Sequence, residues 1–472
     1  MTFDSLTFVV FLAAIFAGYW AVRSWTVRKV FLLGASYLFY AAWNPFFVLL
    51  IIATTGFDWL ASHWMDRVQR PSYRRAILAS SIAINLGSLG FFKYAQFLSD
   101  NAVDLLHVFG INFEPVSLGI LLPVGISFYT FESLSYVIDV YRRRIAVSKS
   151  LLDYGLYVTF FPHLVAGPIL RYGDFSPQCV EPKSWRSAEV GKGLALFVSG
   201  LALKVCLADL VFAPVVDRVF ASGVKAGFGE SWLGATSFSL QAYCDFAGYS
   251  LCAIGVALMF GFRFPMNFES PFGSVGMAEL WTRWHMSLAS WIRDYVFLPL
   301  GGYRRGRLRG EANLLFAFLL VGLWHGAAWT FVVWGGLQGV FICAEHLIKR
   351  YVWDFGKVDN RFGRAALAVA TFGMFSIAAV FFRAHSFGQG ASILASMFGP
   401  GRHSTLVPFS EAIVALVLGA SVVGSHILFG HLRRWDWLDR LSVAPRAAWI
   451  ALALAAVVFS PGFNPAFIYF QF

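Results

Sequence analysis

The chain has 472 residues, of which 58% are hydrophobic and 13% charged, and its mean hydropathy is +0.65. That balance excludes an ordinary soluble globular domain and describes an integral membrane protein. The net charge of +11 is split into short basic groups between apolar stretches, at residues 67–75, 142–149, 304–309, 349–364 and 433–446. This pattern fits cytoplasmic loops beside anionic lipid headgroups and offers no nucleic-acid-binding motif.

The first residues, MTFDSLTFVVFLAAIFAGYW, lack the basic region and small-residue cleavage site of a signal peptide, so they are expected to remain as the first helix. Apolar stretches near or above the roughly 18–20 residues that a helix needs to span the hydrocarbon core follow at 5–22, 46–64, 76–98, 193–211, 312–341, 365–382, 412–429 and 447–460. They predict an all-α polytopic bundle. Alternating from the basic loops puts the N-terminus outside, residues 25–29 inside, 43–46 outside and 67–75 inside.

Between residues 119 and 302 the apolar stretches are short and broken by Pro123, Gly125, Pro162, Gly167, Pro168, Pro265, Pro271 and Pro299. Irregular backbone at membrane depth is tolerated where protein buries it or a cavity lines it, so this third is expected to hold re-entrant or tilted half-helices around a funnel. Within it, Pro162 and Gly167-Pro168 should interrupt any helix and leave His163 and Arg171 near free backbone groups. A half-helix end there, with Arg171 or the Arg304/Arg305 loop, is a candidate for holding a diphosphate, although a juxtamembrane arginine is commonly only a topological anchor.

At about 100° per residue, Trp281, Trp284, Leu288, Trp291, Ile292 and Tyr295 share one helical face, and Arg283, Ser287, Ser290 and Asp294 share the other. The segment reads as one amphipathic helix at an interface or recess, with His285 at the edge of its aromatic face. Burial would favour a neutral imidazole able to accept a proton or donate a hydrogen bond; a core histidine bonded to a carbonyl is the competing reading. An Arg293-Asp294 pair is more commonly a local ion pair than a catalytic group.

Residues 312–341 are apolar nearly all round, and His325 is their clear ionisable side chain. Ionisable groups inside membrane segments usually face a bundle interior or cavity, which makes His325 a candidate site residue. Gly322 and Gly326, then Gly335 and Gly339, repeat a spacing that lets another backbone approach closely. Cys179, Cys206, Cys244, Cys252 and Cys343 lie singly and read as packing residues; no spacing suggests a metal site. No repeat or linker divides residues 1–472, which read as a single transmembrane domain with its motifs at about 119–345.

Several long motifs occur in order: PVGISFYTFESLSYVIDVYR (123–142), FFPHLVAGPILRYGDF (160–175), YCDFAGYSLCAIGVALMFGFRFPMNF (243–268), LWTRWHMSLASWIRDYVFLPLGG (280–302), GLWHGAAWTFVVWGGLQG (322–339) and the ending FIYFQF (467–472). Through these the chain resembles the membrane-bound O-acyltransferases, and within them the bacterial alginate O-acetyltransferase branch. The resemblance implies a funnel-shaped helical bundle that transfers acyl groups. His325 of the WHG motif would be the catalytic residue and His285 of the RWH motif the second histidine.

It further implies acetyl-CoA as a cytosolic donor, with no bound cofactor, and a bacterial inner-membrane location. The acetyl group would pass to an extracytoplasmic partner of the SGNH-hydrolase type that acetylates a polysaccharide such as alginate. On this reading His325 takes or positions the proton of an attacking hydroxyl, and His285 donates to the oxyanion or orients the acceptor. Asp245, Arg171, Trp324 and Asp294 are candidates for binding substrate or donor.

Two positions depart from that branch. Leu251 stands where a second acidic residue is common, and Met266 falls in the Phe264-Pro265-Met266-Asn267 run where a glutamate is common. Both bear on the acceptor or partner more than on acyl transfer. A transporter or flippase and a non-catalytic assembly subunit of an envelope polysaccharide machine stay open beside the enzyme.

Overall fold

A computed structural model describes residues 1–399, 405–430, 435 and 437–460. The described residues are helical, with no strand among them, and seven helices are long and apolar enough to cross a membrane. Their outer faces carry exposed residues such as Phe46 and Phe409, as expected of helices solvated by lipid rather than water. The chain is a multi-pass membrane protein, and the expected all-α bundle is what forms. The ending at 467–472 lies outside the described residues.

Two compact units divide the chain: residues 1–190 with 256–265, and residues 191–255 with 266–472. The first begins with helices Leu6–Ala21, Trp25–Ala41, Pro45–Arg67 and Pro71–Leu89, the last continued through a π turn into Ala95–Val108. Sequence sets these starts: Ser5 Oγ accepts from Phe8 N, Asn44 Oδ1 accepts from Phe46 N, and Pro45 and Pro71 occupy first-turn positions that need no N–H donor. Asp58, fully buried, is held by Ser81 Oγ at 2.5 Å and Asn85 Nδ2 at 2.9 Å, which ties two spans together through a satisfied carboxylate.

As expected from its prolines and glycines, the stretch 160–171 is not helical; it is a buried run of turns. It packs on Ile126–Tyr141, whose preceding Gly125 has φ +76° and lies so near the Leu164 carbonyl that a Cβ would come within 2.3 Å of its oxygen. Only glycine suits that position.

The second unit is built on the long helix Phe228–Met259, almost entirely buried along its apolar part. Helix Val190–Ala202 lies against it along a glycine seam: a Cβ on Gly200 would meet the Gly248 carbonyl oxygen at 2.4 Å. The chain then widens into a π turn, Leu203–Phe212. Helices Arg307–His325 and Trp329–Tyr351 form a tight hairpin, and Arg361–Arg383, Phe387–Phe398, Phe409–Phe429 and Val443–Val458 complete the unit. The apolar stretch 312–341 therefore turns back on itself at 326–328 and does not cross as one helix.

Candidate active site

The segment expected as one amphipathic helix, 281–295, is broken where the chemistry lies. Helix Met277–Arg283 ends, His285 takes the left-handed conformation at φ +43° and ψ +53°, and Met286–Ile292 begins after it. The cause is the loop at 267–270, whose backbone bonds both sides of the break: Glu269 N donates to Arg283 O and Met286 N to Asn267 O, each at 2.9 Å. The aromatic face survives the interruption, since Trp281, Trp284, Leu288, Trp291 and Ile292 are all buried.

His285 is fully buried, with its ring edge-on to Phe246 at a centroid distance of 4.7 Å. Its Nδ1 lies 3.2 Å from Asn267 Oδ1, an atom that also receives Ser287 Oγ at 2.9 Å and Ser287 N at 3.3 Å. Asn267 Nδ2 in turn donates to Ser250 Oγ at 3.2 Å. His285 falls outside the seven candidate spans, and burial pushes its pKa down from the ordinary imidazole value, which keeps the ring neutral.

His325 is the last residue of its helix, 3% exposed, and stands edge-on to Trp334 at 5.0 Å and beside Phe382 at 5.2 Å. The hairpin that presents it depends on missing side chains. A Cβ on Gly322 would lie 2.2 Å from the Phe331 carbonyl oxygen, and one on Gly335 would lie 2.2 Å from that of Phe318. The glycine pairs read from the sequence are thus satisfied inside this chain.

Trp324 joins the two histidines, with ring centroids 4.9 Å from His325 and 5.9 Å from His285. His325 also lines a cavity of about 30 Å³ with Phe238, Ala242, Phe246 and Ala379, room for roughly two waters or a group of that size. Phe246 touches the His285 ring and the cavity alike. A neutral His285 in this aromatic setting can exchange a proton with a substrate without a charged group having to be stripped of water.

The other candidates fall elsewhere. Asp245 is buried 3.0 Å from Lys204 Nζ, which also bonds Asp209 at 2.7 Å, an ion-pair network at the π turn. Asp294 accepts from the adjacent Arg293 Nε at 2.8 Å, the local ion pair that its sequence context suggests. Arg171 lies in the first unit, just ahead of helix Tyr172–Val180 and close enough to the buried Glu132 to act on its charge. Glu132 Oε2 lies 3.2 Å from His163 Nε2, and Oε1 accepts from Leu170 N at 2.9 Å, so this carboxylate braces the broken stretch.

Sequence reasoning noticed Asn267 only as part of a motif and missed it as the partner of His285. Phe246 and Phe382 gave no signal either, because nothing in their spacing relates them to either histidine. Among the described residues no group of three or more His, Cys, Asp or Glu side chains is arranged to hold a metal ion.

The chain is similar to known membrane acyltransferases over much of its length. Residues 141–384 match the model of the membrane-bound O-acyltransferase family. The chain is 36% identical to a probable alginate O-acetylase of Pseudomonas aeruginosa over 95% of its own length and 85% of that protein's. It is 40% identical to the probable alginate O-acetylase of Azotobacter vinelandii, covering 74% of this chain and 69% of the other. A peptidoglycan O-acetyltransferase of Helicobacter pylori is 32% identical over 82% of this chain and 78% of its own.

Proposed function

The chain belongs to the membrane-bound O-acyltransferase family, and from that membership we propose that it moves an acetyl group from cytosolic acetyl-CoA across the bacterial inner membrane towards an exported polysaccharide such as alginate. That it is a membrane O-acyltransferase follows from the family; donor, acceptor and site residues are our reading. An extracytoplasmic partner of the SGNH-hydrolase type would complete the transfer to the polymer.

The observation that carries the site assignment is the pair of buried histidines that both lie near the Trp324 ring, one of them on the wall of a cavity sized for a small group. In the reaction, the acceptor hydroxyl oxygen bonds to the acetyl carbonyl carbon while the C–S bond of the thioester breaks. The hydroxyl proton passes to an imidazole of the pair and from it to the departing thiolate, leaving an ester and a free thiol. Proton transfer by a positioned side chain contributes on the order of 100- to 10,000-fold, so loss of the pair should all but silence the enzyme. Trp324 would bear on the substrate between the rings.

The test is transfer of labelled acetyl from acetyl-CoA to exported polysaccharide, in membranes holding this protein and a candidate partner. Wild type is compared with His325→Ala at matched expression. Labelling that needs the protein and collapses in the variant supports the reading, and a variant that labels as well as wild type removes His325 from the catalytic role.

A further inference from the structure

The hydrogen bonds around Asn267 decide which nitrogen of His285 carries hydrogen. Asn267 is 1% exposed, and its amide has two possible orientations that differ in which end faces Ser287. The backbone N–H of Ser287 can only donate, so the end facing it must be the oxygen, Oδ1. Ser287 Oγ lies 2.9 Å from the same atom, and Ser250 Oγ is placed to accept from the amide nitrogen, which agrees with that orientation. Oδ1 is an acceptor without a hydrogen. The His285 nitrogen 3.2 Å from it, Nδ1, must therefore supply the proton for that contact.

From this geometry we infer that Asn267 is a positioning residue that holds neutral His285 as the Nδ1–H tautomer, so that its Nε2 meets the substrate as a hydrogen-bond acceptor and not as a donor. This rests on the proposed acyl-transfer site and divides the labour within it. Held as that tautomer, neutral His285 has no hydrogen on Nε2 to donate to the oxyanion, one of the two parts its sequence context allowed. The other part is compatible: Nε2 accepts the O–H of the incoming hydroxyl and turns that oxygen's lone pair towards the acyl carbon. The left-handed backbone at His285 serves the same end, because it lets Nδ1 and the N–H of Ser287, two residues along, reach one oxygen atom. A helical residue at that position would keep its N–H in the ladder and present its side chain elsewhere.

Solid-state NMR of membranes containing the 15N-histidine-labelled protein tests this directly. The His285 signals are identified by subtracting the spectrum of His285→Gln from those of the ten histidines. The expected result is a protonated Nδ1 and a bare Nε2 for wild type. Asn267→Asp, which keeps an acceptor oxygen for both Nδ1–H and Ser287 N–H, should retain that signature and acetyl transfer within about 10-fold. Asn267→Leu should show mixed tautomers, with kcat down by roughly 100-fold or more and KM little changed, the scale on which a wrongly protonated catalytic histidine fails.

A wild-type ring with its proton on Nε2 overturns the inference. So does a folded Asn267→Leu that keeps both the Nδ1–H signature and wild-type kcat. The spectrum does not depend on turnover. A protein that shows the expected tautomer yet transfers no acetyl therefore upholds the role of Asn267 and refutes the proposed donor or acceptor.

Discussion

The Nδ1 of His285 and the Oδ1 of Asn267 are 3.2 Å apart across a break that the intervening loop imposes on an otherwise helical segment. The side-chain contact and the backbone conformation are parts of one arrangement. His285 has to adopt φ +43°, in the region where an L residue other than glycine, asparagine or aspartate is uncommon.

That backbone demand can be separated from the chemistry. His285→Asn places a residue that tolerates the left-handed region, whereas His285→Val places a β-branched one that does not; the left-handed conformation costs about 1–2 kcal/mol for ordinary residues. Both variants should lose acetyl transfer. The thermal midpoint of His285→Asn in detergent should stay within a few degrees of wild type, with His285→Val clearly lower. Equal midpoints would show that the break is not held at this residue.

Lys204 with Asp245 and Asp209 makes a different prediction. Removing one partner of a buried ion pair leaves an uncompensated charge and costs about 3–5 kcal/mol. Lys204→Met should therefore expose the protein to proteolysis and lower its midpoint strongly, because it leaves two carboxylates at the π turn. Asp245→Asn should lower stability too, but transfer per folded molecule should remain within a few-fold of wild type. A fall of about 100-fold or more in well-folded Asp245→Asn, on the scale of a lost acid or base, would show that Asp245 acts in the reaction and not only in the ion-pair network.

Asp294 is the mild case. Its bond to Arg293 is partly exposed, and exposed ion pairs contribute about 0–1 kcal/mol. Asp294→Asn is expected to change both acetyl transfer and midpoint little, which side-by-side assays at matched expression will check. A strong loss of transfer would mean that the carboxylate acts on substrate.

What the sequence made legible follows from the range of the interactions involved. His325 stood out because a lone ionisable group in a long apolar stretch is expensive wherever it lies, and the glycines beside it announced close backbone approach before any partner was known. The aromatic face of 281–295 was legible through its period, since burial of Trp281, Trp284 and Trp291 does not need the helix to be continuous. The break at His285 was not legible. It is imposed by the backbone of residues 267–270, and neither proline nor glycine marks residues 281–295. Asn267 was hidden for the same reason: its contact with His285 spans 18 positions and depends on a loop path that local pattern does not encode. Asp245 and Lys204, 41 positions apart, meet only through the glycine seam that lets two helices close together.

The hairpin that carries His325 offers the sharpest test of that seam logic. Gly322 lies three residues before His325, and a Cβ there would sit 2.2 Å from the Phe331 carbonyl oxygen, a backbone atom that cannot swing aside. Gly322→Ala must push Arg307–His325 and Trp329–Tyr351 apart, and overpacking of this kind costs about 1–3 kcal/mol. Trp334, edge-on to His325, rides on the second helix, so the same displacement alters the imidazole's setting. Misplacement of a reacting group by about 1 Å can cost on the order of 100-fold in rate, so transfer should fall much further than stability. Gly336→Ala, on the other helix of the hairpin, is the control: the nearest neighbour of its Cβ is the tip of the Leu319 side chain at 3.2 Å, which can shift. Gly336→Ala should therefore keep most of its transfer activity, and the hairpin argument fails if the two alanine variants are equally active.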